Sequence, residues 1–234
     1  MSIRVDVLKE KDLKKKMFIE KEKVKKILYY GIKRCFDLCL SLIGVIFIIP
    51  IYIIIKVSYI LTGDNEPIVF KQIRTGKDGK NFNLYKFRSM SIKNDIKDKN
   101  KEDEYTTVGK IIRKYSIDEL LQVINIIKGD MSFIGPRPWI PEYYENMNLK
   151  QRLRCDVRPG ISGYAQIKGR NSISIFEKIE YDLEYIEKAS LGFDLKIIFK
   201  TIVALTTKRG VNAGKSTIHK EIEELKESNR REVA

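Results

Sequence analysis

LCLSLIGVIFIIPIYIII, running from Leu38 to Ile55, decides how the rest of the chain is read. It carries no charge. About 20 such residues cross a bilayer core, so its length qualifies it as a membrane helix. Pro50 lies inside the run. Its ring lacks an N–H and clashes with the preceding turn, so a kink or break is expected there. The flanks give no direction. Basic residues end at Lys33-Arg34 on one side and resume at Lys56, Lys71, Arg74, Lys77 and Lys80 on the other. The positive-inside rule assigns both flanks to the cytoplasm. Two topologies fit: a kinked span, and a re-entrant helix-break-helix whose ends share one side. In the second, carbonyls freed near Pro50 need a polar partner, with Ser41 or a buried protein contact as candidates. The run begins too deep in the chain for a signal peptide, and no small-residue cleavage site follows it.

Outward from this segment, residues 1–30 are lysine-rich with scattered apolar positions and read as a basic approach to a membrane surface. Within them, residues 1–18 read as a solvated tail. On the other side, alternation through IVFKQIRTGKDGKNFNLYKFRSM (residues 68–90) predicts a β-hairpin turning at Asp78-Gly79. Residues 91–106 are polar and predict a loop. Residues 110–128 carry helical periodicity, closed by Gly129. Met131 to Arg170 is rich in Gly and Pro, which builds rigid turns suited to binding groups. Residues 173–189 predict an amphipathic helix with Ile175, Ile179, Leu183 and Ile186 on one face. The run FDLKIIFKTIVALTTKR (193–209) is apolar apart from Lys196 and Lys200, and suits an interfacial or a core helix equally. The division expected is a basic N-terminal segment (1–30), a membrane helix (31–62), a cytosolic domain (63–206) and a charged tail dispensable for chemistry (207–234). No internal repeat is evident.

The 234 residues carry a formal charge of +14, and 43% are hydrophobic. That supports one packed domain with a polyanionic partner: nucleic acid, anionic lipid headgroups or phosphorylated substrates. The three cysteines form no CxxC pair, so neither a disulfide framework nor a zinc site is favoured. Cys35 and Cys39 read as small buried hydrophobes. His219 is the single histidine and lies near the C-terminus, which disfavours a histidine base or a histidine metal site. GVNAGKST near the C-terminus resembles a phosphate-binding loop, but Gly210 stands one residue too close to Gly214 and Arg209 fills the required glycine position.

Two constellations can carry chemistry. Ser116-Ile117-Asp118-Glu119 opens the stretch ahead of LLQVINIIKGD. Ser116 and Glu119 have capping-box spacing, which accounts for Glu119 structurally but leaves Asp118 unexplained. An acidic residue in a first helical turn stays ionised, and helix N-termini bind phosphate. With Arg113 upstream, an anionic nucleophile, a carboxylate able to hold Mg²⁺ and an arginine make a phosphoryl-transfer site. The second constellation is Gly135-Pro136-Arg137-Pro138. A guanidinium on so stiff a backbone grips phosphate at reduced ordering cost, although a turn arginine capping a helix is the plainer reading. Arg158-Pro159-Gly160, Arg170, Lys86 and Arg88 add basic groups around rigid turns.

Taken in order, KRCFD (33–37), the apolar run with Pro50, residues 67–90, residues 109–138 and RLRCDVRPGISGYAQIKGRN (152–171) resemble the bacterial sugar transferases, the monotopic phosphoglycosyl transferases. The resemblance runs from about Lys33 to about Thr206 and matches the small, catalytic-unit form. It implies an α+β, predominantly helical monotopic membrane protein with a re-entrant helix broken at Pro50, interfacial amphipathic helices and a small β-hairpin. Family members often place Ser before that proline, where this chain has Ile49. The implied activity makes Asp118 the nucleophile on the β-phosphate of a UDP-sugar, with release of UMP and onward transfer to polyprenyl phosphate. By the same resemblance Glu119 holds Mg²⁺, Arg113 and Arg137 bind phosphate, and Lys33 and Arg34 meet lipid headgroups. The implied location is the cytoplasmic face of the bacterial inner membrane, with no nucleic-acid partner and with room for a homodimer. Carboxylate and phosphate nucleophiles are both anions at neutral pH, so no base is required. The competing readings are a basic, membrane-tethered nucleic-acid binder and a membrane adaptor. Both leave Asp118-Glu119 idle.

Overall fold

A computed structural model describes residues 2–91, 105–169, 172–206 and 215–233, with side chains described within 24–91, 105–169, 172–204 and 218–230. The chain divides into two units, Met1–Phe36 and Asp37–Ala234. Helix α1 (Ser2–Leu61) contains that division, and Pro50 lies within its helical course. In the first unit, Tyr29 and Tyr30 pack with ring centroids 4.7 Å apart, and the Lys33 ammonium lies 6.0 Å from the Tyr29 ring. Arg34 lies on the same helical stretch.

In the second unit, one face of α1 packs and the rest is bare. Ile55 and Tyr59 are buried with Ile68, Phe87, Val108, Ile112 and Leu121, flanked by Ile48, Ile51 and Tyr52. Around them Leu40, Leu42, Ile43, Ile46, Phe47, Ile49, Ile53, Ile54, Val57, Ile60 and Leu61 are exposed. By length and composition the stretch Val24–Leu61 is apolar enough to cross a membrane. Cys39 lies on the bare side, and Cys35 is likewise exposed, so the expectation of small buried hydrophobes fails for both. Ser41 is fully buried, and its hydroxyl has no partner. In this conformation it serves no carbonyl near Pro50.

The hairpin forms as expected. Strands β1 (Val69–Thr75) and β2 (Asn81–Phe87) pair antiparallel, with Arg74 opposite Phe82 and Phe70 opposite Lys86. Asp78 and Gly79 turn with φ of 56° and 72°, the left-handed region that Gly, Asn and Asp tolerate best. Of the expected loop 91–106, residues 92–104 lie outside the described residues, and Tyr105 bridges Met90.

The helix expected over 110–128 is instead three pieces: α2 (Thr107–Lys114), a 3-10 turn (Ile117–Glu119) and α3 (Gln122–Lys128). Ser116 is the breaking point. Its φ of 56° is left-handed, which reverses the chain sharply, and its side chain caps nothing. The capping box read from the spacing is therefore not made. Gly129 closes α3 at φ 92°, as expected. Asn125, fully buried, ties α3 to the hairpin: Nδ2 donates to the Asn83 carbonyl at 2.7 Å and Oδ1 accepts from Tyr85 N–H at 3.0 Å.

The Gly/Pro-rich region builds two short parallel strands, β3 (Ser132–Ile134) and β4 (Gly160–Ser162). Between them stand α4 (Pro141–Glu145), α5 (Leu149–Arg152) and a 3-10 turn (Leu153–Cys155). After β4 come α6 (Tyr164–Lys168), α7 (Ile175–Lys188) and α8 (Leu191–Thr206). A Ser174–Glu177 capping box starts α7, which buries Ile175, Ile179, Asp182 and Tyr185. Helix α8 buries Ile197 and Asp194 and exposes Leu195, Phe199, Ile202 and Val203. Part of the tail is packed. Residues of α9 (Lys215–Val233) pack Leu225, Ile218 and Ile222 against Tyr143, Met147, Ile175 and Ile179. Glu221 pairs with Lys178 at 2.5 Å and accepts the Tyr143 hydroxyl at 2.5 Å. An acidic and apolar face within the charged sequence makes these contacts.

Candidate active site

Alternation in the hairpin sets one wall. Cross-strand partners point to the same face, so Gln72, Arg74, Leu84 and Lys86 share it. The 3-10 turn faces that wall and presents Asp118 and Glu119. The third wall is the turn Gly135–Pro138. Gly135 N–H donates to the Ser162 carbonyl and Gly160 N–H to the Pro136 carbonyl, both at 2.9 Å. A β-carbon on Gly135 would meet the Arg158 carbonyl at 2.4 Å, and one on Gly160 would meet Gly135 N at 2.1 Å. Glycine at both positions lets the two segments close on each other.

These walls converge on Glu119. Arg137 Nη2 donates to its Oε1 at 2.6 Å and Lys86 Nζ to the same oxygen at 3.4 Å. Burial pushes the Glu119 carboxyl up, but the Arg137 and Lys86 charges outweigh it and bring the pKa down to about 2. Burial also lowers the Lys86 ammonium, against the pull of Glu119. Asp118 is half-buried and differs from its neighbour. Burial raises its pKa, Glu119 adds to the rise, and Lys86, Arg113 and Arg137 partly offset it. Two adjacent carboxylates thus divide: Glu119 is a fixed anion bound by cations, and Asp118 is the freer and more basic group.

The arginines read from the sequence fall into two classes. Arg113, in the last turn of α2, stacks 5.0 Å from the Tyr105 ring and acts on Asp118 through its charge. Together with Lys86 and Arg137 it belongs to the cluster. Arg88 and Arg158 do not. Arg88 is buried, donates to the Pro67 carbonyl at 2.8 Å and to Asp64 at 2.7 Å, and lies over the Tyr59 ring. Arg158 donates to the Gly129 carbonyl at 2.8 Å, so it is this arginine that closes a helix end. Arg170 lies outside the described residues.

Sequence reasoning missed what holds Arg137. Arg154 Nε and Nη2 both donate to Asp182 Oδ2, at 2.9 and 2.6 Å, and Nη2 also reaches the Arg137 carbonyl at 2.8 Å. Its guanidinium carbon lies 3.6 Å from the Trp139 ring centroid. Both partners are buried, at 3% and 1% exposure. The pair fixes the backbone from which Arg137 reaches Glu119. Arg74 was also missed as a site residue, although hairpin register puts it on the face of Lys86.

Among the described residues no group of three or more His, Cys, Asp or Glu forms a metal cage. Magnesium does not need one: it takes one or two carboxylates, with waters and substrate phosphates completing the set. Arg137 and Lys86 both reach Glu119 through Oε1, and a carboxylate is the kind of hard oxygen donor that this ion takes.

The profile of the bacterial sugar transferase family matches residues 28–208. This chain belongs to that family. It is 41% identical over 182 residues to the Bacillus subtilis protein named uncharacterized sugar transferase EpsL, covering 77% of this chain and 90% of that one. It is 42% identical to the UDP-glucose:undecaprenyl-phosphate glucose-1-phosphate transferase of Klebsiella pneumoniae, over 73% of this chain and 39% of that one. It is 33% identical to the undecaprenyl-phosphate galactose phosphotransferase of Salmonella typhimurium, over 76% of this chain and 41% of that one. The chain therefore spans about two fifths of the relatives named for a specific sugar. Within this sugar transferase, the Asp118 cluster and the apolar face of α1 both fall inside the matched region, and α9 falls outside it.

Proposed function

We propose that this sugar transferase moves a sugar-1-phosphate from a UDP-sugar to polyprenyl phosphate at the cytoplasmic face of the bacterial inner membrane, through a phosphosugar held on Asp118. The observation that carries the proposal is the division between neighbours: a half-buried, more basic Asp118 beside a Glu119 neutralised by Arg137 and Lys86. In the first step an Asp118 oxygen attacks the β-phosphorus, and the bond to the UMP oxygen breaks with its electron pair leaving on UMP. In the second a lipid phosphate oxygen attacks that phosphorus, and the bond to Asp118 breaks. No proton is transferred in either step, which suits a site without histidine. Arg137, Lys86 and Arg113 offset charge on the phosphoryl oxygens, and the rigid Gly135–Pro138 turn holds Arg137 in place beforehand. Glu119 would hold Mg²⁺ with the donor diphosphate, and the ion when bound would neutralise diphosphate charge. The named relatives differ in their sugar, so the proposal extends to the UDP-sugar class.

The apolar stretch of α1 supports a seat in the membrane. Asp37 accepts from Ser132 Oγ and Phe133 N–H, both at 3.2 Å, and the Tyr59 hydroxyl bonds the Arg88 carbonyl and Thr106. Both ends of the apolar run therefore hold the same catalytic unit. A crossing segment would put them on opposite sides of about 30 Å of hydrocarbon. We infer a re-entrant course bent at Pro50, with the bare face of α1 and the exposed residues of α8 in lipid.

Asp118→Asn tests the chemistry. The expected result is loss of UMP release from UDP-sugar with thermal unfolding and membrane association intact. Unchanged UMP release would remove Asp118 from the nucleophile role. For topology, cysteines placed at Gly31 and Thr62 should be labelled from the same side of sealed vesicles. Labelling from opposite sides would replace the re-entrant course with a span.

A further inference from the structure

Arg74 is a cation without an anion. It lines a cleft with Leu84, Lys86, Gln122, Arg137 and Pro138. Its Nη2 donates to the neutral Gln72 amide oxygen at 2.6 Å, and its Nη1 makes a long 3.5 Å contact with the Pro138 carbonyl. Its Nε is buried with no partner. Among the described residues no carboxylate comes within ion-pair distance of it. Burial, followed by the neighbouring Arg137 charge, lowers its pKa to about 10. Leaving a partly buried guanidinium unpaired is costly unless an anion completes it. Arg88, Arg154 and Arg158 each have a carbonyl or carboxylate partner at 2.9 Å or less, and Arg137 has Glu119 at 2.6 Å.

Its position selects the anion. Lys86 and Arg137 both act electrostatically on Asp118, and both act on Arg74, but Arg74 is not among the charges that bear most on Asp118. Arg74 lines one cleft with Lys86 and Arg137, and Asp118 is not part of that lining. In an in-line displacement the leaving group departs on the side opposite the attacking atom. We propose that Arg74 binds the phosphate of the leaving nucleoside monophosphate, one P–O–P bridge away from the phosphorus that Asp118 attacks. This rests on the reaction proposed above for the site, and it assigns Arg74 to the first half-reaction alone.

The test uses the full chain in detergent or nanodiscs, with UMP as the probe. Arg74→Met should weaken UMP binding by about 10- to 100-fold, the worth of charge-assisted hydrogen bonds to phosphate. It should slow single-turnover UMP release to a similar degree. Discharge of the phosphosugar-enzyme to polyprenyl phosphate should stay within about twofold, because the nucleotide has left by then. Arg74→Lys, which keeps the charge but not the fork, should fall between the two in UMP affinity and serves where the methionine variant does not fold. Wild-type UMP affinity in both variants would overturn the assignment, as would equal slowing of both half-reactions. Asp118→Asn separates this from failure of the nucleophile: Arg74-dependent UMP binding should persist there, whether or not turnover does.

Discussion

Replacing Arg154 by methionine removes two hydrogen bonds to Asp182 and one to the Arg137 carbonyl, and it takes a cation off the Trp139 ring. Asp182 then stays buried with no cation beside it. One of its oxygens, Oδ1, already lacks a partner. Breaking a buried pair by deleting one partner costs about 3–5 kcal/mol, because a charge is left uncompensated. For a chain of this size that corresponds to a fall in Tm of about 6–20 °C, at ~2–4 °C per kcal/mol. Pairing the change with Asp182→Leu removes both charges, so the double variant should recover part of the loss. Activity should behave otherwise. The Arg137 carbonyl remains unheld in the double variant, and a displacement of about 1 Å at a positioning group costs up to ~100-fold in rate. Thermal unfolding in detergent together with UMP release decides it. A loss under about 1 kcal/mol in the single variant, or full activity in the double variant, would refute the claim that this pair positions Arg137.

Lys86→Met and Arg88→Met should separate site from scaffold although two residues apart: the first lowers kcat/KM with Tm nearly kept, and the second lowers Tm with KM for UDP-sugar nearly kept, as steady-state kinetics beside melting curves would record. Leu225→Ala should cost about 2–5 kcal/mol in chemical denaturation, since Leu225 is fully buried where α9 meets α4 and α7. The pH dependence has two signs. The folded pKa of Glu119 is depressed from 4.5 to about 2, so its stabilisation is present above 4.5 and is lost as pH falls toward 2. The folded pKa of Asp118 is raised above 3.8, so its contribution is present below 3.8 and is lost as pH rises through the folded value. Because attack needs ionised Asp118, the acid limb of kcat should lie above 3.8, and Glu119→Gln should move it down by removing a like charge. An acid limb unmoved in that variant would contradict the coupling.

Elements with a local cause were legible. Asp78-Gly79 fixed the hairpin, Gly129 the end of α3, and the spacing of Ile175, Ile179 and Leu183 the apolar face of α7. Asp118, Glu119, Arg113, Arg137 and Lys86, which the structure brings together, were named because their chemistry stands out in sequence. The errors share one origin, which is tertiary contact between residues far apart in the chain. Ser116 turns left-handed, where spacing alone made a capping box with Glu119, whose carboxylate is instead taken by Arg137, 18 positions on. Arg88 and Arg158 looked equivalent to Arg137, and only their partners, Asp64 and the Gly129 carbonyl, distinguish them. Arg154 and Asp182 are 28 positions apart, and nothing local marks either. Arg74 could have been found, because the register that follows from the Asp78-Gly79 turn puts it on the same face as Lys86.

The most direct measurement is the intact mass of the enzyme after incubation with UDP-sugar in the absence of lipid acceptor, followed by peptide mapping. The expected result is a gain of one phosphosugar on the peptide containing Asp118, lost on adding polyprenyl phosphate and never formed by Asp118→Asn. An unmodified enzyme in a preparation that still converts donor to lipid-linked product, or a phosphosugar mapped to another residue, would contradict it.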